Sequence, residues 1–559
     1  MTSNEYAVVC DKIISSTTNL IDTSDIKRFN IDRTAINASD PISLSAITSS
    51  APMTLVYTPA GSGKSKLIYD RINALKTINV PIGKMMVLSM NIAKAKQIEI
   101  ELPGIKSMTF SDFTHNIFSE NYPDCETIDI ESLKNLLKLT ATSQFARQFS
   151  DILSTADPQE KMVKLTLFVN AHLDETINLL STINKSDYSI ESIICQNKIY
   201  TFAKNPYDID ALLINGVHNM PVPILCAILA YANRYKCNLF ITGSPKETIY
   251  DFNMAYANAM NVLSSFASTK NIDIIRLMST QRMDDDIKHV LEMTPIVKLK
   301  NVSMTTVTAN HDVPLFTIIN DAIKSNNDFI INSLKNKKQI LMIARSKADI
   351  AALRQVIENE LKSVFPNMKI TDLTLIQAPI THYGEVAVQL LPRLQQTHPT
   401  GITTQEFFFN LYNEIYVLSQ TTTVPYLKEQ YHNDTQTLLS FSKKYSNVFG
   451  EPDSIHSIEE LVHMIIDCEA ATMKEHNEFV KSNVTFDLSE SDIVLSTIHA
   501  STDLHMDNVL IIFKNFTEHV DEKLYRVALS RANKTEHIVF INYGRFETPH
   551  QRYIKTHME

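Results

Sequence analysis

Met53-Thr-Leu-Val-Tyr-Thr-Pro-Ala-Gly-Ser-Gly-Lys-Ser-Lys-Leu-Ile-Tyr69 is the stretch on which the fold turns. Met53–Tyr57 is an apolar, β-prone run that predicts a strand, and from Ser65 onward apolar residues return at helical spacing. Small residues fill the turn between them. The whole chain holds only 10 glycines, about a quarter of the usual roughly 7%, so each marks a place where the backbone demands one. Two of them, Gly61 and Gly63, stand just before Lys64. The segment follows the pattern G-x-x-x-x-G-K-[ST], with Thr58 where the first glycine is expected. Small residues there let backbone N–H groups wrap a phosphate at a helix N-terminus. Ala60, Gly61, Ser62, Gly63, Lys64 and Ser65 are therefore the candidate nucleotide-binding residues. Lys64 would reach the β- and γ-phosphates, and the Ser65 hydroxyl would help hold Mg²⁺.

Around this loop, composition sets bounds. A chain of 559 residues is too long for one core and predicts about three or four lobes. With 44% hydrophobic and 20% charged residues, disordered and fibrous classes are excluded. The longest apolar runs, such as Val222–Ala232, reach barely half the roughly 20 residues a bilayer requires. Met1–Asp11 carries Glu5 and Asp11 and so does not read as a signal segment. The expectation is a soluble, intracellular protein of cytoplasm or nucleus, neither secreted nor membrane-bound. Six scattered cysteines without a C-x-x-C pair argue against a disulfide scaffold and the common zinc patterns. A net charge of −10 does not advertise nucleic acid, although a local basic groove depends on the nearby field and not on the total.

Further segments follow in a recognisable order. Ala60-Gly61-Ser62-Gly63-Lys64-Ser65 resembles the A-G-S-G-K-T form of superfamily 1 DNA helicases of the UvrD/Rep type. Val87–Gln97 resembles that family's motif Ia, with Met90 in place of the usual aromatic, and Thr109–Phe113 the next short DNA-contacting motif. Leu239–Phe252 is similar to motif III, with Ser244 replacing its Asp and Glu247 its γ-phosphate-sensing Gln. Thr280-Gln281-Arg282 resembles motif IV and Val494–Leu504 motif V, while Leu524–Ala532 is close to motif VI. The resemblance implies an α/β fold of two RecA-like parallel-sheet lobes with helical insertions. Residues 1–50 would be an N-terminal extension, and 51–110 with 205–270 the first lobe, interrupted by a helical insertion at 111–204. Residues 271–375 with 485–559 would form the second lobe, interrupted by another at 376–484. ATP and Mg²⁺ are the implied cofactors, with Lys64, Glu247, Arg282 and Arg531 at the γ-phosphate. Single-stranded DNA is the implied partner, touching Ser89, Asn91, Thr109, Phe110, Tyr250, Phe252, Thr497 and His499, and replication or repair proteins are further candidates. Motif drift of this degree suits a fast-evolving viral or mobile-element protein.

One motif is broken. A P-loop hydrolase needs an acid at the end of the next apolar strand to hold Mg²⁺, and in helicases a neighbouring glutamate as base. After the apolar run Ala211–Ile214, the family's D-E-x-Q reads Asn215-Gly216-Val217-His218. Asn215 offers one neutral oxygen and Gly216 no base. Asp208 and Asp210 precede the strand and belong at its wrong end, which leaves Glu247 as the compensating carboxylate. Two expectations follow: a helicase-like binding protein with slow or absent hydrolysis, or an active helicase with a rewired metal site. In the first case, Asn215→Asp with Gly216→Glu is the change that would restore turnover. His115, His218, His499 and His505 lack metal-ligand spacing and read as polar histidines. The run Lys335-Asn-Lys-Lys338 reads as a solvated turn.

Overall fold

In a computed structural model, strand β1 (Met53–Tyr57) is buried along its whole length. The structure describes residues 3–36, 40–59, 61–140, 143–277, 283–294, 298–309, 313–376, 381–422, 425–483, 488–502, 504–515, 522–542 and 547–558. β1 is joined by β2 (Met85–Ser89), β3 (Lys106–Thr109), β4 (Ala211–Asn215), β5 (Asn238–Gly243) and β6 (Ile272–Arg276). They form one parallel sheet in the order β3-β2-β4-β5-β1-β6. Parallel strands covered by crossover helices read as continuous apolar runs, as Met53–Tyr57 and Ala211–Ile214 do. The helix α1 (Lys64–Thr77) lays Leu67, Ile68, Ile72 and Leu75 against Val56, Val87, Leu213 and Phe240. Because Tyr57 pairs with Gly243 and Asn215 with Thr242, the C-terminal ends of β1, β5 and β4 lie side by side. That edge is where open parallel sheets place ligands.

A second six-stranded parallel sheet is built from β7 (Val302–Thr308), β8 (Ile340–Ala344), β9 (Ile370–Asp372), β10 (Ile493–Thr497), β11 (Met506–Asn515) and β12 (Ala532–Asn542). Its order is β9-β10-β8-β11-β12-β7. Leu341 and Ile343 enter one core, whereas Ile340, Met342 and Ala344 enter the other, as a period of two requires. The expected mixed α/β class with two parallel sheets is thus present.

Two assignments differ from the sequence expectation. Residues 272–276 belong to the first sheet, because Ile272–Arg276 pairs with β1. Residues 1–50 are no appendage: the helix Ser3–Asn19 packs on Val222–Tyr235, with Cys10 and Ile14 fully buried. Hydrogen bonds fasten the segment after it, among them Asp22 N–H to Asn233 Oδ1 at 2.9 Å, Lys27 N–H to Lys236 O at 3.1 Å and Asn238 Nδ2 to Lys27 O at 3.0 Å. Both sheets fall within one compact unit, Met1–Phe113, Tyr207–Gln377 and Thr485–Glu559. The two insertions together make the other unit, Thr114–Pro206 and Ala378–Val484. It is mainly helical, with Tyr383, Phe407, Leu411, Leu461 and Ile465 in its core. Among the described residues no helix is long and apolar enough to cross a membrane. All six cysteines are free and buried.

Candidate functional site

The turn after β1 uses its glycines for backbone reasons. Gly63, at the N-cap of α1, has φ +86°, and Gly61 has φ +71°. The positive φ favours glycine at Gly61, and a Cβ there would also press on the Met283 side chain, 2.8 Å from its Cε. Thr58 takes the first-glycine position without strain, and it ties the turn to the next strand. Its N–H and hydroxyl donate to Gly243 O at 2.8 and 3.0 Å. The Ser62 hydroxyl is buried, without a hydrogen-bond partner among the described residues. Ser65 is part-exposed at the start of α1. Ala60 and Arg282 lie outside the described residues.

Lys64 points into a buried ion cluster. Its Nζ donates to Glu247 Oε2 at 2.6 Å, and both side chains are nearly enclosed, at 12% and 4% exposure. Glu247 closes a 3₁₀ turn, Pro245–Glu247, beyond β5. Its other oxygen, Oε1, accepts from Arg531 Nη2 and from Ser530 Oγ, each at 3.3 Å. Ser530 and Arg531 follow helix α2 (Glu522–Leu529) of the second sheet. The Arg531 guanidinium is fixed further by donation to Val527 O at 2.7 Å and Ser501 O at 3.4 Å. Burial alone would raise the Glu247 carboxyl, but Lys64 and Arg531 together hold it well below the usual carboxylate range. Glu247 is therefore ionised, and a weak base.

Asn215 ends β4 fully buried, and among the described residues neither its amide oxygen nor its nitrogen has a partner. Buried polar atoms of this kind call for a polar ligand or ordered water. Gly216 follows at φ +85°, and its N–H donates to Thr242 O at 3.2 Å. His218 is buried, and its Nδ1 accepts from Ser244 N–H at 3.1 Å. Burial, reinforced by Lys64, pushes His218 down to about 3, so it is neutral. Asp208 and Asp210 sit before β4, engaged by Lys84 and Lys27, away from the ligand edge.

A second cavity, of about 460 Å³, gathers the other predicted residues. Asn91, Tyr250, Phe252, Thr497 and His499 line it with Met90. Phe252 is exposed, and its ring centroid lies 5.9 Å from that of Tyr250 and 6.1 Å from that of His499. The Tyr250 hydroxyl donates to His499 O at 2.9 Å, joining the two sheets, and Asn91 Nδ2 donates to Thr502 O at 3.0 Å. Arg345 and Lys347, both exposed, also face this cavity. They follow β8 directly, so they occupy its C-terminal edge, whereas the exposed run Lys335–Lys338 lies at the opposite end.

Two predicted contacts are corrected. Ser89 and Phe110 are buried, at 0% and 1% exposure, and cannot meet a strand of nucleic acid. The Thr109 hydroxyl accepts from Asp112 N–H at 3.0 Å and donates to its carboxylate at 2.7 Å, a local helix-start role.

No protein-family model matches this chain, and no curated protein matches it. Chemically, the first site offers a phosphate two buried cations, a helix N-terminus and a free serine hydroxyl. For a metal it offers less: Ser65 and Asn215 are neutral donors, and Glu247 is already bound to two cations. No group of three or more His, Cys, Asp or Glu side chains among the described residues could hold a metal ion. These residues do not by themselves make a magnesium site.

Proposed function

We propose that the chain is a nucleotide-binding, single-stranded-DNA-binding protein of the superfamily 1, UvrD/Rep helicase type, built on RecA-like sheets. It would act in DNA replication, repair or recombination, hold its nucleotide mainly as a structural ligand, and hydrolyse it slowly or not at all. The observation that carries this reading is the contact of Lys64, Glu247 and Arg531. Three segments far apart in the sequence, each singled out for the γ-phosphate, meet in one buried cluster. The aromatic cavity supports the nucleic-acid half: stacking surfaces and two cations share one opening, the combination that serves single strands without sequence preference.

Slow turnover follows from the chemistry at hand. Asn215 and Gly216 supply neither a charged metal ligand nor a base, and general-base assistance is worth roughly 10²–10⁴-fold. A rewired enzyme would need Glu247 as that base, yet two cations make it a poor one. The test is nucleotide turnover by the full chain with and without single-stranded DNA. No DNA-stimulated turnover is expected. Rates of about 1 per second or more, ordinary for enzymes, refute the structural-ligand role. Absence of any ADP or ATP affinity by calorimetry with Mg²⁺ refutes the whole reading.

A further inference from the structure

Glu247 does more than replace a glutamine. Its two oxygens meet Lys64 at 2.6 Å and Arg531 at 3.3 Å, with Ser530 adding a third donor at 3.3 Å. A terminal phosphoryl group would ask for the same set of charge-assisted hydrogen bonds from an ammonium and a guanidinium. The carboxylate is also fixed in place. Glu247 N–H donates to Ser244 O at 2.9 Å, the Thr248 hydroxyl to Pro245 O at 3.1 Å, and Ser244 N–H to His218. Thr248 is fully buried, so the turn has no room to swing outward without unpacking.

We infer that Glu247 is a built-in surrogate for the terminal phosphate, so that the site takes nucleoside diphosphates in preference to triphosphates. The inference rests on the nucleotide-site reading above. A diphosphate leaves the Glu247 cluster intact: the helix N-terminus and the Ser62 hydroxyl face its phosphates, and the three donors of the Lys64 ammonium serve it and Glu247 together. A triphosphate brings its γ-phosphoryl charge against the fixed carboxylate. Two like unit charges about 4 Å apart, at an effective dielectric near 20, would weaken binding by roughly 10³-fold. With relaxation, a preference for the diphosphate of at least ~10-fold is expected.

Calorimetry on the full chain with ADP, ATP and a non-hydrolysable ATP analogue tests this. The unmodified protein should bind ADP at least ~10-fold more tightly than either triphosphate. Glu247→Gln, nearly isosteric but neutral, should raise triphosphate affinity by about 10- to 100-fold more than it raises ADP affinity, which erases the preference. Equal affinities in the unmodified protein, or a ratio that Glu247→Gln does not move, overturn the inference and leave the nucleotide site standing. No binding of any nucleotide to either protein overturns both. Should Glu247→Gln fail to fold, Glu247→Asp keeps the charge but is one methylene too short to reach both cations. It should narrow the preference, and an unchanged ratio there also overturns the inference.

Discussion

Phe252→Ala separates a binding role from a packing role more cleanly than any other change in the aromatic cavity. Phe252 is 49% exposed, so its truncation forfeits only part of the ~3–5 kcal/mol that a fully buried phenylalanine would, about 1 kcal/mol here. Base stacking on an aromatic ring is worth roughly 1–3 kcal/mol, so single-strand affinity should fall about 5- to 150-fold. Tyr250→Phe should do the reverse. It keeps the ring but removes the hydroxyl that reaches His499 O, costing about 0.5–1.5 kcal/mol of stability with little loss of DNA affinity. Arg345→Ala gives a third signature, because removing one phosphate contact lowers the slope of log affinity against log salt by about 0.7 for a single strand. Fluorescence anisotropy of a labelled oligonucleotide across a salt series, beside thermal melts, reads all three. A Phe252→Ala protein that melts several degrees lower yet binds single strands normally would show that the ring is packing, and the cavity would lose its assignment.

Three further outcomes are expected. His218 is held near 3 against an ordinary 6.5, a depressed value. Its contribution is therefore complete above about pH 6.5 and is lost as pH falls toward 3. Between pH 6.5 and 4.5 this amounts to up to roughly 2 kcal/mol; His537, pushed down to about 4 by burial, adds in the same direction. Melting curves of His218→Gln against pH should fall less steeply than those of the unmodified protein, and parallel curves would refute the burial account. In the helical unit, buried Glu469 accepts from Tyr383 N–H at 2.9 Å, Gly384 N–H at 3.0 Å and the Thr381 hydroxyl at 2.7 Å. Glu469→Ala should cost roughly 2–4 kcal/mol by orphaning those donors, seen as earlier proteolysis within residues 378–484. The double change Asn215→Asp with Gly216→Glu, which the sequence alone expects to restore turnover, should instead lower the melting temperature and give no DNA-stimulated turnover, because Gly216 holds φ +85° and Glu247 keeps both cations. A rate of about 1 per second would refute that.

Legibility followed locality. The strand, turn and helix from Met53 to Tyr69 could be read directly, because apolar spacing and glycine placement act within a few residues. The aromatic pair Tyr250 and Phe252 was found by motif, but motif likeness carries no burial, and so it misplaced Ser89 and Phe110. Partner choice in a sheet is nonlocal: nothing within Ile272–Arg276 says that it pairs with Met53–Tyr57 and not with the strands that follow it. Two missed features did carry a signal. Tyr6, Cys10, Ile13 and Ile14 recur at helical spacing, enough to foresee the buried face of Ser3–Asn19. Arg345 and Lys347 follow an apolar strand just as Lys64 follows its loop, and the rule that parallel sheets bind ligands at strand C-termini points to them over Lys335–Lys338.

On the proposed nucleotide-site reading, the residues that depart from the helicase pattern form one coupled set. In the helicase pattern, negative charge sits at the end of the strand equivalent to β4, and the position of Glu247 is neutral. Here β4 ends in neutral Asn215, and the charge stands at Glu247, between Lys64 and Arg531. Lys64 and Arg531 are buried cations, and buried cations need a counter-charge; Glu247 supplies it from within the chain. Gly216 adopts φ +85°, a conformation a glutamate enters only with strain, and a Cβ there would stand 3.3 Å from His218 Cε1. That turn also carries His218 to Ser244, whose N–H it accepts, and Ser244 in turn accepts from Glu247 N–H. Gly216, His218 and Ser244 thus link the end of β4 to the turn that carries the Glu247 carboxylate. Restoring two side chains at the end of β4 leaves that carboxylate in place, with both cations still bound to it.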